Sequence, residues 1–161
     1  MIRIRSLQPS DKSALRQLVV QLQAAEAESN PYVIDGELMA DDYVRQLYEG
    51  NREIPGEILV AELDTGEVVG YVALQPNVPQ EEAHEVFYHY AYVSDIVVLD
   101  SQRGNGVGSA LLNSAENYAR AAGATVIRMG VLAGNQPARR LYAECGYDER
   151  ELLLEKSLQE S

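Results

Sequence analysis

The segment 84–122 constrains the fold most strongly, because it predicts a buried strand that runs through a glycine-rich turn into a helix. Its first part, HEVFYHYAYVSDIVVL, ends in a β-branched apolar run, which is typical of a long and mostly buried strand. Gly104, Gly106 and Gly108 then occupy every second position, and Ala110–Ala122 is predicted to be helical. A helix that follows a buried strand in this way returns the chain to a parallel neighbour, so the segment predicts an α/β fold.

The rest of the chain supplies further elements, and the predicted order is βααβββαβαβ. Two β-rich runs flank the turn DTGE and predict an antiparallel hairpin, whereas the second half alternates strands with helices and predicts parallel pairing. We therefore expect a mixed central β-sheet flanked by helices on both faces. A length of 161 residues fits a single domain, residues 1–161. The predicted strands are Ile2–Ile4, Glu57–Leu63, Val68–Leu74, the run 84–99, Thr125–Val131 and Tyr147–Lys156, and the predicted helices begin at Asp11 after an N-cap at Ser10 and cover Leu38–Tyr48, Ala110–Ala122 and Pro137–Glu144.

The composition argues against several classes of protein. Cys145 is the single cysteine and the histidines are His84 and His89, so neither a disulfide framework nor a metal site is expected. The sequence has no apolar stretch of membrane length and no leader-like N-terminus, so no membrane association is expected and the cytoplasm is the expected location.

The net charge of −12 disfavours nucleic acid as a partner and favours cationic molecules. Much of the negative charge lies in the first half of the chain. This excess is either the solvated face of a helix or a rim that attracts a cationic substrate, and the sequence leaves both interpretations open. The residues concerned are Glu26, Glu28, Asp35, Glu37, Asp41 and Asp42.

The glycine-rich turn has the features of an anion site, because unpaired backbone N–H groups converge at the start of a helix. A nucleotide P-loop needs the pattern GxxxxGK[ST], and no lysine follows Gly108. A dinucleotide fingerprint needs GxGxxG, and Ser109 occupies its third glycine position. The turn is therefore either a cradle for another phosphate group or a tight connection with no ligand.

The segment RGNGVG, Arg103 to Gly108, resembles the Q/RxxGxG/A signature of the GNAT superfamily of acetyl-CoA-dependent acetyltransferases. Three further stretches resemble the family: SDIVVLDSQ before the loop, NQPARRLYAECGY after it and IRIRSLQPSDKSAL at the start of the chain. The resemblance covers nearly the whole sequence, and the predicted element order is also that of the family. It implies the GNAT acyltransferase fold.

The resemblance further implies a cleft in which the central strand separates from the next one and acetyl-CoA lies in the gap. The pantetheine arm is expected to pair with the backbone around Ile96 and Val98, and the pyrophosphate to rest on the amides of residues 103–109. Asn135 is expected to line the arm, or else to act only as a helix N-cap. The residues expected to contact acetyl-CoA are Ile96, Val97, Val98, Arg103, Gly104, Asn105, Gly106, Val107, Gly108, Ser109, Asn135, Ala138 and Tyr142.

Acetylation of an amine needs a neutral nucleophile, a polarised thioester carbonyl and a proton for the departing thiolate. Tyr142 stands in the family pattern NxxAxxLY, which implies that it donates this proton; the alternative is a tyrosine that packs a helix onto the sheet. The backbone amide of Ile96 is expected to hold the carbonyl oxygen.

Position 94 departs from the family pattern. Many members have a glutamate where Ser94 stands, and a serine does not accept a proton unaided at neutral pH. Asp95 is the first candidate for the base, although alternation along a regular strand places it on the opposite face from Ser94; His89 and Glu85 are further candidates. Tyr92 shares a face with Ser94, and both are expected to line the acceptor pocket, the alternative for the tyrosine being a cross-strand aromatic ladder.

These expectations describe an N-acetyltransferase that moves acetyl from acetyl-CoA to a primary amine by direct attack in a ternary complex. The acceptor is expected to be a small cationic amine or a protein amine. Ser94 motivates the alternative of a non-catalytic acyl-CoA-binding sensor or partner module. Cys145 is expected to pack rather than to form an acyl-enzyme. Dimers are common in the family, so a homodimer is an open expectation.

Overall fold

The computed structural model describes residues 1–50 and 56–160 and contains one five-stranded mixed sheet with the order β1-β2-β3-β4-β5. The first four strands pair antiparallel with their neighbours, and β5 pairs parallel with β4, so the predicted hairpin and mixed sheet are confirmed. The strands are β1 (Ile2–Ser6), β2 (Glu57–Leu63), β3 (Val68–Pro79), β4 (His89–Val98) and β5 (Val126–Met129), and the helices are α1 (Lys12–Ala27), α2 (Gly36–Glu49), α3 (Val107–Ala121) and α4 (Gln136–Glu144).

Helices cover both faces of the sheet, as the sequence predicts. The side chain of Tyr71 on β3 points to the face covered by α1 and α2. There its hydroxyl group and that of Tyr43 on α2 both donate to the carboxylate of Asp95 on β4. The opposite face of the sheet is covered by α3. A Cβ at Gly70 of β3 would lie 3.2 Å from the side chain of Leu111 and 3.3 Å from that of Val107. Leu15 and Leu18 of α1 are fully buried, so the hydrophobic core extends through both layers around the central strands.

The start of the first helix differs from the prediction. Ser10 is not the N-cap; it lies within a short 3-10 turn, Pro9–Asp11, and α1 begins after it. The carboxylate of Asp11 accepts hydrogen bonds from the Gln8 amide at 2.8 Å and from the Arg5 guanidinium at 2.8 and 2.9 Å. The bonds from Arg5 hold the pKa of this buried carboxyl below its usual value. Asp11 therefore links β1 to the start of α1. The preference of helix N-caps for serine does not predict this contact, because Arg5 lies on the preceding strand.

The predicted last strand, Tyr147–Lys156, is wrong. No strand forms between residues 147 and 160, and residues 151–160 are exposed. Charged residues fill positions 148–151, and the leucines come only after them, at 73%, 97% and 87% exposure for Leu152, Leu153 and Leu154. A strand is stabilised by pairing and by burial of one face, and this segment has neither within the described chain.

Candidate active site

A gap opens between β4 and β5. The parallel pairing runs only from Tyr90–Val126 to Val93–Met129. Beyond Val93, β4 continues to Val98 and is paired with β3 alone among the described residues. The side of β4 that faces away from β3 therefore has no strand partner from Ile96 to Val98 among the described residues, and this edge could receive an extended ligand as if it were another strand.

The end of β4 is held by a glutamine from α1. The side-chain amide of Gln21 donates to the Val98 carbonyl at 2.7 Å, and its oxygen accepts from the Asp100 amide at 3.0 Å. This bidentate contact fixes the point at which the chain leaves the sheet and enters the segment 103–109, which we call the glycine loop. Gln21 is a positioning residue that no sequence signal identified.

The glycine loop presents free amides at a helix start. Gly104 and Gly106 have φ values of 78° and 82°, a conformation that favours glycine, and Gly106 caps α3 three residues earlier than predicted. Within the described part of the chain, the amides from Gly104 to Ser109 have no acceptor, and the first such bond is from Ala110 to the Gly106 carbonyl at 3.0 Å. The loop could therefore bind a phosphate group through its backbone.

Two loop residues have further contacts. The guanidinium of Arg103 lies 3.1 Å from the Asp100 carboxylate and is half-exposed, so it could also approach an anion at the loop. Gly108 has a different role, because a Cβ there would lie 2.9 Å from a methyl group of Leu141 on α4. The lack of a side chain at Gly108 therefore allows Leu141 of α4 to pack closely on α3.

Helix α4 places a protonated phenol next to this packed interface. Asn135 accepts from the Ala138 amide at 3.2 Å, as an N-cap does. Tyr142 is partly buried, with its ring centroid 6.2 Å from that of Tyr147, and burial raises its pKa to about 12. Tyr142 is therefore neutral at physiological pH and able to donate a proton. Cys145 lies 3.8 Å from the Ser109 hydroxyl, at the packed junction of α4 with α3.

A β-bulge at Ser94 changes which side chains share a face. Ala73 pairs with Asp95, whereas the next β3 residue, Leu74, pairs with Val93, so Ser94 is an extra residue on β4. Because consecutive β3 side chains point to opposite faces, Asp95 and Val93 do so too. Asp95 therefore faces α1 and α2, on the same side as Tyr92. Regular alternation along β4 predicts that Asp95 lies on the opposite face from Tyr92. The bulge makes that expectation wrong, because it puts both side chains on one face.

Asp95 is the centre of what we call the buried carboxylate cluster: Glu26, Tyr43, Tyr71 and Asp95. Its carboxylate is 9% exposed and accepts from the hydroxyl groups of Tyr43 at 2.6 Å and Tyr71 at 3.1 Å, both at Oδ2. Burial raises the pKa of Asp95, and the two hydrogen bonds partly oppose the rise. Burial and the charge of Asp95 raise the pKa of Glu26. No sequence pattern indicates this cluster, because its members lie far apart along the chain.

The other candidate bases lie elsewhere. His89 contacts the side chain of Asn77 and lies six residues before Asp95, about 20 Å along the strand. Glu85 precedes β4 and accepts from Tyr88 at 3.0 Å. Neither adjoins the buried carboxylate cluster.

The two expected acceptor-pocket residues lie near the gap. Tyr92 is 39% exposed, and its hydroxyl oxygen lies 3.9 Å from the position that a Cβ of Gly130 would occupy. Ser94 donates to the Ala73 carbonyl at 3.3 Å, so its hydroxyl group is occupied by the bulge.

Four of the six acidic residues of the first half form two groups, and a fifth, Asp35, accepts from the Glu37 amide at 2.8 Å as the N-cap of α2. Arg16 of α1 pairs with Glu37 and Asp41 of α2 at 2.9 Å, and Arg45 pairs with Asp42 at 3.1 Å. These carboxylates form exposed ion pairs on the helices, as a solvated helix face does. Glu26 instead belongs to the buried carboxylate cluster.

The acetyltransferase (GNAT) family model matches residues 20–147. The chain belongs to this family.

Relatives of this GNAT chain include an uncharacterized N-acetyltransferase, YhfO, from Bacillus subtilis, 26% identical over 92% of this chain and 91% of the relative. An L-methionine sulfoximine/L-methionine sulfone acetyltransferase from Pseudomonas aeruginosa is 32% identical over 76% of this chain and 69% of its own length. A solved structure of a putative acetyl transferase from Pyrococcus furiosus superposes with a TM-score of 0.72 at 25% identity, covering 98% of this chain and 100% of that one. The chain is therefore a GNAT-type N-acetyltransferase with the GNAT α/β fold.

Enzymes of this family generally use acetyl-CoA as co-substrate. Across residues 1–50 and 56–160, no group of three or more histidine, cysteine or acidic side chains is arranged to hold a metal ion. In the same residues, no helix combines the length and apolar character needed to span a bilayer.

Proposed function

We propose that this GNAT enzyme transfers acetyl from acetyl-CoA to a primary amine by direct attack within a ternary complex. The observation that supports this most is the position of Asp95, a buried carboxylate of raised pKa on the strand that separates from β5. In the reaction the amine nitrogen bonds to the thioester carbonyl carbon and the carbon–sulfur bond breaks. The electron pair leaves on the CoA sulfur, which takes a proton, and the amine loses one.

The donor would be held mainly by backbone. The free amides from Gly104 to Ser109 fit a pyrophosphate, and Arg103 adds a cation beside it. The unpaired edge at Ile96, Val97 and Val98 fits the amide groups of a pantetheine arm. Asn135, Ala138 and Tyr142 of the α4 region would line the same arm.

The proton transfers would use one group on each side of the reacting carbon. Asp95 would take the proton from the amine, because a carboxylate whose pKa is raised is a stronger base at neutral pH than an ordinary aspartate. Tyr142 would protonate the thiolate, and the Ile96 amide would stabilise the carbonyl oxygen as charge develops. Tyr92 and Ser94 would line the acceptor side of the gap.

The acceptor would be a small amine that reaches a buried carboxylate. Glu26 and Asp95 together favour the approach of an ammonium group, which must then lose a proton to become a nucleophile. Amino-acid amines belong in the panel of candidates, because the relative from Pseudomonas aeruginosa is named for two amino-acid derivatives. Polyamines and exposed lysine side chains complete it.

A thiol-release assay with acetyl-CoA and this panel tests the proposal. We expect CoA thiol to appear only when an amine is present, with no burst of thiol before the acceptor is added. Binding of CoA without acceptor-dependent release across the whole panel would instead favour the sensor function that Ser94 motivates. If no CoA thioester raises the melting temperature, both proposals fail.

A further inference from the structure

The backbone groups of β4 alternate between its two edges. The amide of Leu99, the residue after β4, donates to the Val69 carbonyl of β3 at 2.8 Å, so the backbone groups of Leu99 point towards β3. Along an extended strand, the N–H and C=O groups of successive residues point to opposite edges. Those of Val98 and Ile96 therefore point away from β3 and into the gap. We call this side of β4 the gap edge.

The gap edge is not open along its whole length. The side-chain amide of Gln21 donates to the Val98 carbonyl at 2.7 Å. A side-chain amide carries the same kinds of donor and acceptor as a peptide unit, so Gln21 occupies this carbonyl as a neighbouring strand would. The Ile96 carbonyl has no partner on the gap edge in residues 1–50 and 56–160. One of two equivalent acceptors is therefore occupied and the other is free.

The start of the glycine loop also has supports that do not involve Gln21. The Gln102 amide donates to the Leu99 carbonyl at 2.8 Å, and the Arg103 amide donates to the Asp100 carbonyl at 3.3 Å. The Arg103 guanidinium lies 3.1 Å from the carboxylate of the same aspartate. These contacts lie within one turn and hold it locally. The bond from Gln21 to the strand therefore has a role at the gap edge as well as in the loop.

We propose that Gln21 sets the register in which the pantetheine arm pairs with β4, a role that rests on the proposed binding of acetyl-CoA in the gap. A ligand that adds to a strand edge can pair in registers two residues apart, because every second residue presents the same groups to that edge. The carbonyls of Ile96 and Val98 are equivalent in this way and are separated by about 6.6 Å along the strand. Because Gln21 occupies the second carbonyl, the arm pairs at the first.

The register that Gln21 excludes is unproductive. A slip of two residues towards the glycine loop moves the thioester carbon about 6.6 Å from the Ile96 amide and away from Asp95. Acetyl-CoA bound in this way occupies the site without reacting. Gln21 therefore acts on the position of the donor rather than on its affinity.

Gln21→Ala tests this role through the pattern of the kinetic constants. Removal of the side chain frees the Val98 carbonyl, so acetyl-CoA gains a second, unproductive register. Unproductive binding lowers kcat and the KM for acetyl-CoA by the same factor, which we expect to be about fivefold from the value of one hydrogen bond, and leaves kcat/KM unchanged. A residue that only held the loop would instead raise the KM and lower kcat/KM. Steady-state thiol release measures both constants.

Gln23→Ala is the matched control, because Gln23 lies on the same helix and donates to the Ile34 carbonyl at 2.9 Å. It loses a bond of the same kind away from β4 and should leave both constants unchanged. Thermal melting shows whether the variants are folded. Gln21→Met keeps the length of the side chain, removes both of its bonds and should give the same pattern if the alanine variant is unstable. A lower kcat/KM at Gln21, or an unchanged kcat, would overturn the role.

Calorimetry and crystal structures with CoA separate this role from the proposed acetyl transfer, because neither needs an acceptor. The native protein should hold the CoA sulfur at one position. Gln21→Ala should show a second position about 6.6 Å along β4 and an equal or lower Kd for CoA. A single sulfur position in the variant, or weaker binding of CoA, would overturn the register role.

The native protein distinguishes the two failures. If it binds CoA but acetylates no amine, the proposed function fails, and the sulfur positions still decide the role of Gln21. If it does not bind CoA, both are wrong.

Discussion

The glycine loop and the buried carboxylate cluster lie at the same strand, yet they are built in opposite ways. The loop offers backbone amides without acceptors, and their arrangement depends on the local conformation, above all on the left-handed turn at Gly106. The cluster is made of side chains from α1, α2, β3 and β4 that meet only when the helices pack on the sheet. A site made from backbone tolerates changes of side chain and is sensitive to changes of backbone conformation. A site made from side chains has the reverse sensitivity.

The largest effect is expected at Asp95. Asp95→Asn keeps the shape of the side chain and removes the base, so we expect kcat to fall about 10³-fold. The folded protein should not be destabilised, because burial raises the folded-state pKa of Asp95 and the wild-type charge opposes folding as pH rises above an ordinary aspartate's pKa. Steady-state thiol release and thermal melting at several pH values measure the two effects.

Ser94→Ala is the matched control for Asp95→Asn, because Ser94 occupies the position at which many family members have a glutamate. Its hydroxyl group is bonded to the Ala73 carbonyl, so the change in kcat should be much smaller. A larger loss at Ser94 than at Asp95 would show that the base does not belong to the buried carboxylate cluster.

The next effect is expected at Tyr142. Tyr142→Phe keeps the buried ring and removes the proton donor, so kcat should fall about 10²-fold with little change in binding of CoA. Tyr147→Phe is the control, since that ring packs beside Tyr142 and its hydroxyl group donates to Glu116 at 3.0 Å. Turnover of Tyr142→Phe equal to that of the native enzyme would remove the proposed acid and leave the residue a packing role.

A smaller effect is expected from the backbone of the loop. Gly106→Ala places a Cβ in open space but forces a φ of 82° on an alanine, at a cost of about 1–2 kcal/mol. The loop should relax and the KM for acetyl-CoA should rise about tenfold, with kcat nearly unchanged.

Gly66→Ala supplies the comparison for the loop variant. Gly66 has a φ of 86° and equally open surroundings, but it lies in the β2–β3 turn. It should lower the melting temperature to a similar degree without changing the KM. If both variants leave the KM for acetyl-CoA unchanged, the loop amides do not hold the donor.

The same contrast explains which parts of the molecule the sequence could predict. The glycine spacing, the hairpin turn and the helix Leu38–Tyr48 depend on neighbouring residues, and the structure confirms the last two as elements. The side of the sheet to which Asp95 points could not be predicted, because nothing in the sequence around Ser94 indicates a β-bulge. The last strand was predicted wrongly because strand formation depends on pairing and burial, and residues 147–160 pair with no strand in the described part of the chain. Glu26 and Tyr71 were missed because only tertiary packing brings them to Asp95.

The smallest effect is expected at Tyr43, as a shift in the pH dependence of kcat/KM that tests the buried carboxylate cluster. Asp95 acts only when deprotonated, so activity should rise as pH increases through its pKa. The hydroxyl group of Tyr43 donates to Asp95 at 2.6 Å and lowers that pKa, so Tyr43→Phe should raise it and move the rising limb of kcat/KM to higher pH. Tyr48→Phe, on the same helix, loses a bond to the Gln8 carbonyl and should leave the limb in place. An unmoved limb in Tyr43→Phe, or a shift to lower pH, would mean that a group other than Asp95 sets the profile.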